Sequence, residues 1–174
     1  QLVRAIEAAT RLPGYQEAAL SWAPAIARPD FGPLGVFMGY DFHLAGAEPK
    51  LIEVNSNAGG AFLNALLAKA QRACCAEIEI APGGGKADDF DGAVLRMFQH
   101  EWALQHGTGT PKGIAIVDDR PSEQYLYPEF LLAERFFQKH GIDATIADGS
   151  ELHYERGKLL TTGQAVDLVY NRLV

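Results

Sequence analysis

Apolar positions in the first 28 residues recur at helical spacing, interrupted by Pro13-Gly14 and Pro24, so short Ala-rich helices are expected there before a turn at 30–33. From residue 35 the period becomes two. Residues 35–44 and 50–55 read as strands joined by a loop at 45–49, and Gly59-Gly60 should open a helix that runs to about Arg72. Residues 90–105 place Val94, Leu95, Phe98, Trp102 and Leu104 on one side of a helix. After Pro111, residues 113–117 read as a short buried strand, 127–139 as a helix stopped by His140-Gly141, and 143–147 as a second strand. Segments 152–156 and 159–162 flank a Gly157-Lys158 turn, and 166–170 reads as the last strand. This order predicts an α/β fold, a parallel layer with an added hairpin. The composition changes across 81–111, which marks the expected domain boundary.

Charge and cysteine content narrow the function classes. A net charge of -7 disfavours nucleic acid and anionic membranes as partners, while a local cationic pocket and a metal would still admit ATP. No apolar run approaches the roughly 18 residues of a membrane span, and no signal peptide is visible. The only cysteines, Cys74 and Cys75, are adjacent, which excludes a disulfide framework and suits a reducing cytoplasm. They read as small hydrophobes rather than nucleophiles. The first residue is Gln, and the last five finish inside an expected strand, so the chain reads as a fragment of a longer protein.

The segment 35–55 carries the sharpest chemistry. With a loop at 45–49, Phe42 faces Ile52 and Tyr40 faces Val54, which makes one side apolar. The other side pairs Gly39 with Asn55, Asp41 with Glu53, and His43 with Leu51. Two carboxylates directly opposite, roughly 5 Å apart at Cβ, repel each other. A divalent cation would neutralise them, and Asn55 adds a third oxygen on the same face. Hard oxygen donors favour magnesium over zinc. The alternative on the residues alone is a solvated polar face with an accidental acidic pair.

The run Gly39-Tyr-Asp41-Phe, then a hairpin, then Leu51-Ile-Glu53-Val-Asn55-Ser-Asn-Ala-Gly59-Gly60 resembles the closing motif of ATP-grasp enzymes. The α/β unit that follows resembles the circularly permuted members, eukaryotic-type glutathione synthetase and, more distantly, glutathionylspermidine-synthetase-like proteins. The resemblance implies that Asp41, Glu53 and Asn55 hold Mg2+ bridging ATP phosphates, with Glu53, Asn57, Gly59 and Gly60 around the cofactor and peptide-binding turn. Val169-Tyr170-Asn171-Arg172 resembles the family's strand end, which implies a substrate-site role for Arg172. The family's aspartate-glycine-tyrosine after that arginine is replaced by Leu173-Val174. The implied organisation is a partial ATP-grasp core in 1–80, a linker and amphipathic helix in 81–110, and a Rossmann-like substrate-binding subdomain in 111–174. The implied activity is a cytoplasmic carboxylate–amine ligation through an acyl phosphate, inactive in this fragment alone. Its partners would be a small-molecule or peptide substrate with a carboxylate and an amine co-substrate, with a homodimer as one arrangement open to it.

No lysine-bearing nucleotide clamp is legible, and Pro82-Gly-Gly-Gly-Lys86 lacks the Ser or Thr and the preceding strand of a P-loop, so it reads as a linker. That gap is the basis of a rival expectation, a non-catalytic binding or scaffold domain that has lost the nucleotide site. His43 reads as an exposed neighbour of the metal face, and His100, His106, His140 and His153 as residues of helix surfaces or ends. Asp118 and Asp119 read as a polar strand end. Tyr125, Tyr127 and Glu129 are expected to face the substrate crevice, and Trp22 and Trp102 to pack in the core.

Overall fold

A computed structural model of the chain describes residues 1–46, 48–74 and 89–173. Cys75, the side chain of Cys74 and the glycine-rich segment 82–86 lie outside the described residues. The fold is mixed α/β. Two short helices, α1 (Leu2–Thr10) and α2 (Pro13–Trp22), precede a hairpin of β1 (Gly39–Ala45) and β2 (Glu48–Asn55). Helices α3 (Ala61–Cys74) and α4 (Phe90–His106) follow, then β3 (Gly113–Asp118), α5 (Tyr127–Lys139) and β4 (Asp143–Asp148). Four short strands close the chain: β5 (His153–Glu155), β6 (Lys158–Thr161), β7 (Gln164–Val166) and β8 (Leu168–Asn171).

The parallel layer expected from the sequence is present as a three-stranded sheet of order β4-β3-β8, with both neighbours parallel to β3. Every residue of β3 is buried, as an apolar run covered on both faces should be. Helix α5 links β3 to β4 and buries Phe130, Ala133, Phe136 and Phe137, the stripe that helical spacing dictates. The expected last strand divides in two. Asp167 accepts the backbone N–H groups of Lys112 (2.7 Å) and Gly113 (3.1 Å), which turns the chain from the antiparallel β5-β6-β7 sheet into β8.

One apolar cluster draws on Phe62 of α3, Val94 and Phe98 of α4, β3, α5 and Tyr170 of β8. Its rings meet edge to face, with Phe98 and Phe137 centroids 4.8 Å apart and Phe98 and Tyr170 5.2 Å apart. Phe37, just before the hairpin, packs against Phe62, Phe98 and Tyr170 and roots the hairpin in this cluster.

Several expectations are corrected. The first strand begins at Gly39 rather than 35, because the N–H groups of Leu34 and Gly35 are taken by the Glu101 carboxylate at 2.7 and 2.8 Å. Helix α4 accordingly buries Glu101, while Leu104 is exposed. Trp22 is 82% exposed rather than in the core, since α1 and α2 contribute no buried residue. Trp102 is half-buried, stacked on His106 at 3.7 Å. His153 stands on a strand, not a helix. Among the described residues, no helix is long and apolar enough to cross a membrane.

Candidate metal and substrate site

The three expected metal ligands stand together on the hairpin. Gly39 pairs with Asn55, Tyr40 with Val54 and Asp41 with Glu53, the register that alternation predicts. Beyond Asp41 the register shifts by one: Phe42 pairs with Leu51 and His43 with Lys50, and Ile52 is left without a partner. The cause is a tighter turn than the expected loop at 45–49. The strands run to Ala45 and from Glu48, and Gly46 takes φ +68, open to glycine at little cost. The bulge absorbs the extra residue and leaves the carboxylate end in register.

The Asn55 amide nitrogen donates to Glu53 Oε1 at 3.1 Å and, more weakly, to Asp41 Oδ2 at 3.4 Å. Both carboxylates therefore reach one nitrogen, and the amide hydrogens offset part of their repulsion. Asn55 also carries an oxygen, so the trio offers two carboxylates and an amide oxygen, all exposed to solvent. That chemistry fits a hard, partly hydrated cation such as Mg2+. His43 is exposed beside Lys50. Among the described residues, no group of three or more His, Cys, Asp or Glu gathers in metal-holding geometry, so any metal here would depend on the amide.

The strand continues directly into the turn Asn57–Gly60, which is tied to the α/β layer. Arg172 is 5% exposed, and its Nη1 donates to Asn57 Oδ1 at 2.8 Å and Ala58 O at 3.2 Å. Its guanidinium carbon lies 5.3 Å from the centre of the Tyr170 ring, within range of a cation–π contact. Asn57 Nδ2 in turn donates to Leu173 O at 3.1 Å. A Cβ at Gly59 would meet Leu126 Cδ1 at 2.5 Å and Arg172 Nη2 at 2.9 Å, so a larger residue there would displace the ends of both side chains. Gly60 takes φ +91 and donates its N–H to Glu129 Oε2.

Glu129 is 1% exposed in the first turn of α5, where the helix dipole favours a negative charge. It was expected at the crevice. Its bond to Gly60 was not, although its position on the apolar stripe with Phe130 and Ala133 marks it as a buried charge that needs a donor. Tyr125, expected beside it, is 95% exposed, and Tyr127 is half-buried. Asp118 is buried and accepts the Asp119 N–H at 2.8 Å, a polar strand end. Glu129 Oε1, Tyr170 OH and Arg172 Nε are buried without a hydrogen-bond partner among the described residues. Burial pushes the Tyr170 phenol up to about 12, with Arg172 opposing the rise and Glu129 adding to it.

Beside the turn lies a cavity of about 530 Å³ between the 33–37 segment, Ser56-Asn57, α4 and β8. Its size is that of a small-molecule site. Compared with known proteins, the chain matches no family model and no curated sequence.

Proposed function

We propose that this chain is the magnesium-holding part of an ATP-dependent carboxylate–amine ligase of the ATP-grasp type, of the permuted kind that resembles glutathione synthetase. One observation carries the reading. Asp41 faces Glu53 with Asn55 on both, on a hairpin that runs without a break into the Asn57–Gly60 turn. In this reading the hairpin belongs to the ATP-grasp core, and the β4-β3-β8 layer with α5 is the Rossmann-like substrate part.

Asp41, Glu53 and Asn55 would hold Mg2+, which when bound neutralises phosphate charge and stabilises phosphoryl transfer. The chain's own contribution is position. Arg172 and Glu129 brace the turn from opposite elements, so the backbone after Asn55 is fixed before any ligand arrives. Arg172 spends Nη1 on the turn, which supports a positioning role beside the expected contact with an acidic substrate group.

The test uses the protein that carries this chain. Glu53→Gln should lower magnesium-dependent phosphate release from ATP by more than the ~10–100-fold typical of outer-shell changes at metal sites. Parental turnover of this variant at limiting magnesium would overturn the reading. Magnesium binding without phosphate release in the unaltered protein would favour the binding or scaffold alternative.

A further inference from the structure

The cavity beside the turn has a one-sided electrostatic lining. Its polar walls include the carboxylates of Glu101 and Asp167, and among the described residues no Lys, Arg or His lines it. Each acid spends one oxygen on backbone donors. Glu101 Oε2 takes Leu34 and Gly35, and Asp167 Oδ2 takes Lys112 and Gly113. The second oxygen of each, Oε1 and Oδ1, makes no hydrogen bond among the described residues. Glu101 is only 7% exposed and its free oxygen is open to the water of the cavity, whereas Asp167 stands at the cavity's exposed edge. The remaining walls include the rings of Phe37, Phe98, Trp102 and Tyr170.

Two half-used carboxylates and four aromatic rings, of which Tyr170 already has the Arg172 guanidinium 5.3 Å from its centre, suit a positive charge on an apolar stem. An ammonium donates up to three hydrogen bonds and is attracted to ring faces, while its alkyl part covers apolar wall. A metal ion suits the lining less, because only two acids are present and the aromatic walls offer it no ligand. Ser56, the residue after Asn55, is also part of the cavity wall, so the cavity adjoins the end of the carboxylate hairpin.

We infer that this cavity is a binding site for a primary alkylammonium ligand, with Glu101 as its principal anchor and Asp167 as the second. As the subsite for the ligase's amine co-substrate it rests on the function proposed above; as an ammonium site it does not.

The test follows amide and indole resonances of the isotope-labelled chain during titration with butylammonium, and in parallel with 1-butanol and butyrate at matched ionic strength. Butylammonium should give saturable shifts at the Trp102 indole and at the amides of 34–37 and 168–171. Butanol and butyrate should bind at least ~10-fold more weakly, about the 1.4 kcal/mol of one buried charge-assisted contact. Glu101→Gln should remove most of that preference. Because this variant also alters the Leu34 and Gly35 contacts, the ligand series on the unaltered chain carries the decision by itself. Equal binding of butanol, a preference for butyrate, or shifts outside the cavity would overturn the site. Saturable ammonium binding, together with no amine-stimulated phosphate release by the protein that carries this chain, would overturn the ligase reading and leave the site standing.

Discussion

Strands β3 and β2 are both rich in apolar residues, yet all six residues of Gly113–Asp118 are buried and all eight of Glu48–Asn55 are exposed. Strand β3 has a partner on each side and helices packed over it, whereas β2 pairs with β1 alone among the described residues. Ile52 is 65% exposed and Val54 38%. A two-stranded ribbon is at best marginal by itself, so the hairpin keeps its shape through its root. Phe37 sits in the aromatic cluster, Ala58 donates its N–H to Phe37 O at 3.1 Å, and the Asn57–Gly60 turn is clasped by Arg172 and Glu129. Stability therefore resides in the α/β layer, while the candidate metal chemistry stands on an element that contributes little to it.

Substitutions should separate the two regions cleanly. The largest loss belongs to the layer. Phe137 is fully buried against Phe98 and Phe136, so Phe137→Ala should cost about 3–5 kcal/mol in chemical denaturation. A loss under about 1 kcal/mol would mean the cluster is not the core. Next comes the clasp. Glu129→Ala removes the acceptor for the Gly60 N–H and should cost about 1.5–3 kcal/mol, the range for a hydrogen bond to a charged group. Hydrogen exchange at the Gly60 amide should quicken in the same variant, and unchanged exchange would show that the turn is held by other means.

Tyr170 sharpens the comparison through pH. Its neutral phenol is the form the fold favours, because burial lifts its titration from 10 to about 12. The stability linked to it is complete below pH 10 and is lost as the pH climbs from about 10 toward 12. Tyr170→Phe should leave stability near neutral pH almost unchanged, since the hydroxyl makes no well-formed hydrogen bond among the described residues and Arg172 is only a weak neighbour of it. The variant should also lack this part of the alkaline decline. Urea midpoints at pH 8 and 11 decide the point, and equal declines in both proteins would count against a buried phenol. The smallest effect belongs to the hairpin, where Ile52→Ser at the unpaired bulge residue should change stability by no more than ~0.5 kcal/mol.

Much of this division was legible in the residues. The run Gly113–Val117 and the stripe on 127–139 announce themselves by length and period, and the structure places both where those patterns require. The facing of Asp41 and Glu53 was read from alternation together with a loop at 45–49; the loop is shorter than that, and the bulge after Asp41 restores the pairing of the two acids. What escaped was set by tertiary partners. Asp167 divides the last strand because it binds two N–H groups more than fifty residues away in sequence. Glu101 falls on the apolar face of its helix, where a charge reads as surface until its backbone donors are seen, and Glu129, expected at the crevice, is taken up by the Gly60 N–H. Trp22 was expected inside because tryptophan usually packs, but its helix meets little besides α1. The shortened turn at Gly46 and its compensating bulge changed the pairing beyond Asp41 without disturbing the acids.

The central claim is that Asp41, Glu53 and Asn55 form a cation site, and Mn2+ as a paramagnetic stand-in for magnesium tests it on the chain itself. Titration of the labelled protein should broaden the amides of 39–41 and 53–57 first and leave those of β3 and α5 sharp, and an excess of Mg2+ should reverse the effect. Glu53→Gln should weaken the broadening at least ~10-fold while its melting temperature in chelator stays level or rises, because the repulsion with Asp41 is relieved. Broadening spread evenly over the acidic surface, or unchanged in Glu53→Gln, would contradict the account.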